Sequence, residues 1–136
     1  MRRNTFLVFP LSVIMVTAGY SQMPTKPVKK FAIPKEKIQR LIPSSAGGFA
    51  TDRIMVEGRK IGYMYRETAA EPADSGWRFF AGDEDQKYID DLTHTGIYTL
   101  NTIANYDPDI LPYLDTPAPC AFEKIKGTHK YLRVSQ

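Results

Sequence analysis

The strongest constraint on the fold is a period of two near the middle of the chain. Ile61, Tyr63 and Tyr65 occupy alternate positions, and Trp77-Arg78-Phe79-Phe80 splits its bulky groups between two faces in the same way. Side chains of an extended strand alternate across a sheet, so each such segment offers one face for burial and one for solvent. Aromatic residues suit that half-buried, pleated surface. Ahead of the first run, Ile54, Met55 and Val56 lead into Glu57-Gly58. A glycine there can supply the positive φ of a tight turn, which predicts a β-hairpin over 54–65, a loop over Thr68–Ser75 and a third strand at Trp77–Phe80. Near the C-terminus, Cys120–Ile125 and Tyr131–Val134 flank Lys126-Gly127-Thr128-His129 and predict a closing hairpin.

Helical signals lie between and before these strands. Pro34, then Ile38, Leu41 and Ile42, then Pro43 predict a short amphipathic helix, which Ser44-Ser45-Ala46-Gly47-Gly48 breaks. Asp83-Glu84-Asp85 places carboxylates where a helix N-terminus favours them, ahead of Tyr88 and Ile89. Leu100, Ile103 and Ala104 predict a further helical turn. Asp107-Pro108 is a cap followed by a proline, so a helix is expected from Pro108 to Tyr113, with Pro112 limiting its second turn. Strands first, helices in the middle and strands last predict an α+β domain: an antiparallel β-sheet of hairpins with short helices packed on one side.

A chain of 136 residues, 43% of them hydrophobic, has room for one core and not for two. Its N-terminus reads as an export signal. Met1-Arg2-Arg3 is a basic start, Phe6–Thr17 is apolar apart from Pro10 and Ser12, and Ala18–Ser21 offers small residues for cleavage after Ser21. The apolar run falls short of the roughly 20 residues that a membrane-spanning helix needs, so no stable span is expected after cleavage. The expected organisation is a signal peptide over 1–21, a proline- and lysine-rich flexible tether over 22–35 and a single domain over 36–136, exported to the periplasm or beyond. Without Arg2 and Arg3, the 18 basic residues become 16 against 15 acidic ones. That balance, with no long basic run, excludes a nucleic-acid partner. Cys120 is the one cysteine, so no intramolecular disulfide can form.

Three blocks carry a family resemblance. Asp52–Glu67 reads DRIMVEGRKIGYMYRE, Asp74–Asp85 reads DSGWRFFAGDED and Gly96–Pro108 reads GIYTLNTIANYDP. In this order and spacing they resemble the immunity protein thirty-three family over residues 46–135. The resemblance implies a non-enzymatic protein of a polymorphic toxin system that binds another protein, a toxin among the candidates, and occludes its active surface. An export segment departs from the plain family pattern. It implies either a target in the envelope or a domain reused for another binding task.

The candidate contact set for such a partner is Trp77, Asp83, Glu84, Asp85 and Tyr88: an aromatic anchor beside an acidic cluster. Trp77 reads equally as a core residue. The acidic cluster lacks the alternating ladder of a calcium loop, and no metal or other cofactor is expected. Cys120 and His94 have no local signature of a thiolate–imidazole pair; Cys120 reads as a small buried residue at a strand entrance and His94 as solvent-facing. Asn101, Asn105 and Asp107 around Tyr106 read as residues whose side chains bond to backbone. Two other readings stay open: a small envelope hydrolase using Glu67 with Asp83 or Glu84 as paired carboxylates, and an accessory or scaffold module unrelated to toxins.

Overall fold

The computed structural model describes residues 28–136. The strands are β1 (Gly47–Thr51), β2 (Tyr63–Arg66), β3 (Asp74–Phe80), β4 (Thr95–Thr99), β5 (Cys120–Lys124) and β6 (Tyr131–Val134). Between them lie α1 (Asp52–Met55), α2 (Gln86–Asp90) and α3 (Leu100–Tyr106), with 3-10 turns at Lys35–Lys37, Leu92–His94 and Pro108–Tyr113. The six strands form one sheet in the order β4-β1-β3-β2-β5-β6. The class is α+β, as expected, but the sheet is mixed: β1 runs parallel to β3, whereas the other neighbouring pairs are antiparallel.

The predicted first hairpin does not form. Ile54 and Met55 belong to α1, where both are buried, and the interior strand β1 comes from the stretch read as a breaker. Two adjacent glycines are what admit it. A Cβ on Gly48 would lie 3.2 Å from the Leu100 and Phe79 side chains and from the Trp77 carbonyl, so a glycine lets this strand sit under α3 between β3 and β4 without displacing its neighbours. Gly58 does hold a positive φ of 73°, but it closes α1, its N–H donating to the Ile54 carbonyl at 3.0 Å. β2 pairs instead with β3 and β5, and the closing hairpin β5–β6 forms as expected.

The helix predicted between Pro34 and Pro43 reduces to the turn Lys35–Lys37. Beyond it, residues 38–42 are held to α3 by two asparagines. Asn101 Oδ1 accepts from the Leu41 and Ile42 N–H groups at 2.7 and 3.1 Å, and Asn105 Oδ1 accepts from the Gln39 N–H at 2.9 Å. Both side-chain amides donate to the Gln39 carbonyl. These backbone groups are therefore satisfied from another element rather than by a helix of their own.

The upstream segment is docked as well. Lys29 pairs with Asp52 at 2.7 Å, the Ala32 N–H donates to the Met55 carbonyl and Ile33 N–H to the Tyr106 hydroxyl. The tether expectation is thus left to residues 22–27 which, with the expected signal peptide 1–21, lie outside the described residues.

All of this builds on one side of the sheet. Ala50, Met64, Trp77, Phe79 and Phe122 pack against Ile54 and Met55 of α1, Leu100, Ile103, Ala104 and Tyr106 of α3, and Ile110 of the last 3-10 turn. That turn spans the residues expected for a helix, in 3-10 form around Pro112.

Candidate binding face

α1, α3 and the last 3-10 turn cover one face of the sheet, while α2 stands beside the other, whose side chains strand register dictates. Ile97, Phe49, Arg78, Tyr65, Ala121 and Val134 are successive cross-strand neighbours over all six strands. A second row runs Phe80, Tyr63, Glu123, Leu132. Alternation therefore sends Trp77 and Phe79 into the core, and Arg78 and Phe80 to the opposite side. Tyr65 and Phe80 stack with ring centroids 5.9 Å apart at 13°, and Tyr63 lies 6.1 and 6.0 Å from them. Ile97 and Leu132 at the two flanks are 69% and 60% exposed. Ile89 and Leu92, on the α2 side, complete a shallow groove of about 600 Å³ with Phe49, Arg78, Phe80 and Ile97.

Arg78 is fixed at the centre of the upper row. Its guanidinium carbon lies 4.3 Å over the Phe49 ring, its Nη1 and Nη2 donate to the Asp74 carboxylate at 2.9 and 2.8 Å, and its Nε and Nη2 donate to Glu67 at 3.1 and 2.9 Å. This hydrogen bonding, helped by the Gly76 N–H, holds the Asp74 carboxyl at about 2 against the opposing effect of burial. An unfolded aspartate titrates near 4, so the pair favours the folded state above about pH 4, and that contribution is lost as pH falls towards 2. Acid denaturation of the wild type should therefore include about 1 kcal/mol that an Arg78→Met variant lacks, partial exposure having reduced the figure. Identical slopes of stability against pH in the two proteins between about pH 4 and 2 would count against this account.

Of the contact residues read from the sequence, Asp83, Glu84, Asp85 and Tyr88 stay together around Arg53, whereas Trp77 lies apart from them. Trp77 is corrected from contact candidate to core: it is 0% exposed, and its indole N–H donates to the Leu114 carbonyl at 3.1 Å. Asp83 pairs with Arg59 and approaches Arg53 Nε at 3.6 Å. Glu84 closes the turn after β3, accepting from Thr51 Oγ1 at 2.6 Å and from the Ala81 and Gly82 N–H groups at 2.7 and 2.8 Å. Asp85 caps α2 through the Tyr88 N–H at 2.8 Å. The Tyr88 ring lies between the Arg53 guanidinium, 4.8 Å away, and the His94 ring at 4.1 Å. Local jobs of capping, turn closure and ion pairing thus account for the acidic run. Phe49, Ile97 and Leu132 lie outside that contact set, although Gly47-Phe49-Thr51 and Thr95-Ile97-Thr99 carry the same period-two signal.

The chemistry of a reacting site is not gathered. Cys120 is buried on β5, which pushes its thiol up from the ordinary range, while His94 precedes β4; four inter-strand steps, about 19 Å, separate those strands. Glu67 is bound to Arg78, Asp83 to Arg59, and Glu84 to Thr51 and backbone, so the carboxylates considered for hydrolysis each serve a different partner. Among the described residues no group of three or more His, Cys, Asp or Glu is placed to hold a metal ion, and no helix is long and apolar enough to cross a membrane.

A family model described as Immunity protein Imm33 domain matches residues 48–135. The chain belongs to this family. Both rows of the helix-free face lie inside the matched Imm33 span, whereas the docked segment 28–46 precedes it. The Imm33 domain is an immunity-type protein, which fits a sheet that exposes aromatic side chains better than a reactive cleft. No curated protein and no solved structure matches the chain.

Proposed function

We propose that this Imm33 protein neutralises a partner protein, a toxin effector, by laying the helix-free face of its sheet over the partner's working surface. One observation carries the reading: Phe49, Tyr63, Tyr65, Phe80, Ile97 and Leu132 form a partly exposed, aromatic-rich surface, interrupted by Arg78 and Glu123, on which none of the core-packing helices lies. Scattered apolar residues need no explanation, whereas a continuous patch rimmed by polar groups marks an interaction site. Aromatic side chains are also the usual anchors of protein interfaces. The export signal expected over residues 1–21 supports a partner met in the periplasm or outside the cell. Occlusion is then steric, and no bond in the partner is made or broken.

The test is to seek an effector in the neighbouring reading frames and to measure its binding by calorimetry, a one-to-one complex being expected. Tyr65→Ala and Phe80→Ala together should weaken it by about 2–4 kcal/mol, while Lys30→Ala, on the segment against the helix layer, should leave it unchanged. If the double variant keeps its circular dichroism spectrum and binds with undiminished affinity, the face is not the interface.

A further inference from the structure

The charged side chains that the strands carry divide between the two faces of the sheet. Arg66, Lys124 and Arg133 are opposite Trp77, Tyr131 and Phe122 in register and so belong to the helix-covered face. Lys30, Lys35, Lys37 and Arg40 lie on the segment clamped to α3. On the helix-free face, Arg78 is the one strand cation, and it is already bound by two carboxylates. Glu67, Asp74, Glu84 and Glu123 all lie on or beside that face, the third through its bond to Thr51, which continues the Phe49 alternation. Four carboxylates against one guanidinium give an aromatic surface with an anionic field.

Arg78 also shows what this surface does with a guanidinium. The group is stacked on an aromatic ring and bracketed by carboxylates, the geometry that a planar five-donor cation prefers and an ammonium exploits less well. The same chemistry stands next to it unused. The rings of Tyr63, Tyr65 and Phe80 are clustered and partly exposed, Glu123 is exposed directly beside Tyr63, and Glu67 turns only its Oε1 to Arg78 with its side chain 52% exposed.

We infer that the face recognises arginine side chains on a cationic protein surface, stacking guanidinium groups on the Tyr63–Tyr65–Phe80 rings between Glu67 and Glu123. This rests on the proposed use of the face and names the partner's chemistry: the surface covered is one that itself handles a polyanion, because that is where a protein concentrates arginine. Charge complementarity then speeds encounter, and the rings supply the preference for arginine over lysine.

The isotope-labelled protein titrated with octa-arginine, octa-lysine and octa-glutamate peptides, followed by amide chemical shifts, tests this. Octa-arginine should perturb residues 63–67, 78–80 and 123, bind about fivefold tighter than octa-lysine, and weaken about tenfold between about 0.05 and 0.3 M salt; octa-glutamate should not bind. Glu123→Gln and Tyr63→Ala should each lower octa-arginine affinity by about threefold with the remaining amide spectrum unchanged. Shifts centred on Asp85–Asp91, equal affinity for the two cationic peptides, or no saturable binding would overturn the inference. Should octa-arginine fail while Tyr65→Ala with Phe80→Ala still abolishes the effector complex, the arginine assignment falls and occlusion through this face stands. Should octa-arginine map to these rings while the effector complex ignores the double substitution, the occlusion reading falls instead.

Discussion

Replacing Asp107 with alanine is expected to destabilise the protein by about 3–5 kcal/mol, the range for removing one partner of a buried ion pair. Asp107 is 1% exposed, and its Oδ2 accepts from the Ile61 N–H at 2.9 Å and from Lys124 Nζ at 3.0 Å. The Tyr131 hydroxyl lies 3.4 Å from the same oxygen and donates to the Ile61 carbonyl at 2.6 Å. Oδ1 meanwhile accepts from the Asp109 N–H at 3.2 Å and so caps the 3-10 turn Pro108–Tyr113. One carboxylate thus joins the approach to β2, the end of β5 and the start of β6. Burial alone would pull the Lys124 ammonium down, yet its bonds to Asp107 and Asp109 raise it. Without Asp107 that cation keeps only the Asp109 carboxylate, at 3.1 Å, and the face of the Tyr131 ring, while the buried Ile61 N–H keeps nothing. The cost is therefore largely that of stranded polar groups, not of a lost attraction. Lys124→Met in the Asp107→Ala background should recover about 1–2 kcal/mol, a coupling that urea denaturation of the two single variants and the double variant measures directly. A loss below about 1 kcal/mol in Asp107→Ala would mean that water satisfies the site and that the network does not hold the strands.

Asp107 also shows how far the sequence could be read. Its place before Pro108 announced a cap, and it is one; nothing local announced that its other oxygen would meet Ile61 and Lys124, 46 and 17 residues away. Asn101 and Asn105 repeat the lesson, since their bonds to backbone were expected nearby, as Asn105 makes to the Asn101 carbonyl, but the others run to residues 39–42. Those bonds hold extended a stretch whose apolar spacing suits a helix, so tertiary contacts override local propensity there. Gly47-Gly48 misled for the same reason. A glycine pair signals a break when read locally, and here it allows close approach under α3, which only the packed state reveals. The face itself was partly legible. Alternation required Trp77 with Phe79 and Arg78 with Phe80 to lie on opposite sides, and the structure adds which side the helices occupy. The acidic run is conspicuous because its charges are consecutive, whereas the period-two pattern around Phe49 and Ile97 is spread over two strands that only the sheet order brings together.

Trp77→Ala should cost about 3–5 kcal/mol, the range for emptying a fully buried aromatic site, out of the 5–15 kcal/mol that keeps a domain of this size folded. The indole is packed against Phe79 and Phe122 with centroids 5.9 and 6.3 Å away, lies 5.8 Å from the Arg66 guanidinium carbon and donates to the Leu114 carbonyl. Relaxation into the void is resisted from below by β3 itself. There Gly76 holds a φ of 84° with Glu67 O so close that no Cβ could be tolerated, which fixes the bulge that aims Trp77 inward. Trp77→Phe keeps most of the apolar volume and loses the bond to Leu114, so about 1–3 kcal/mol is expected there. Since Trp77 is the one tryptophan, unfolding has to be followed by circular dichroism and not by indole fluorescence. The pair of variants also separates core from surface. Trp77 lies on the far side of the sheet from Tyr65 and Phe80, so Trp77→Phe should bind octa-arginine with wild-type affinity, and Trp77→Ala should lose binding only in proportion to its unfolded fraction. Weakened peptide binding by a fully folded Trp77→Phe would place the indole in the binding surface after all, and the division of this sheet into a core face and a recognition face would fail with it.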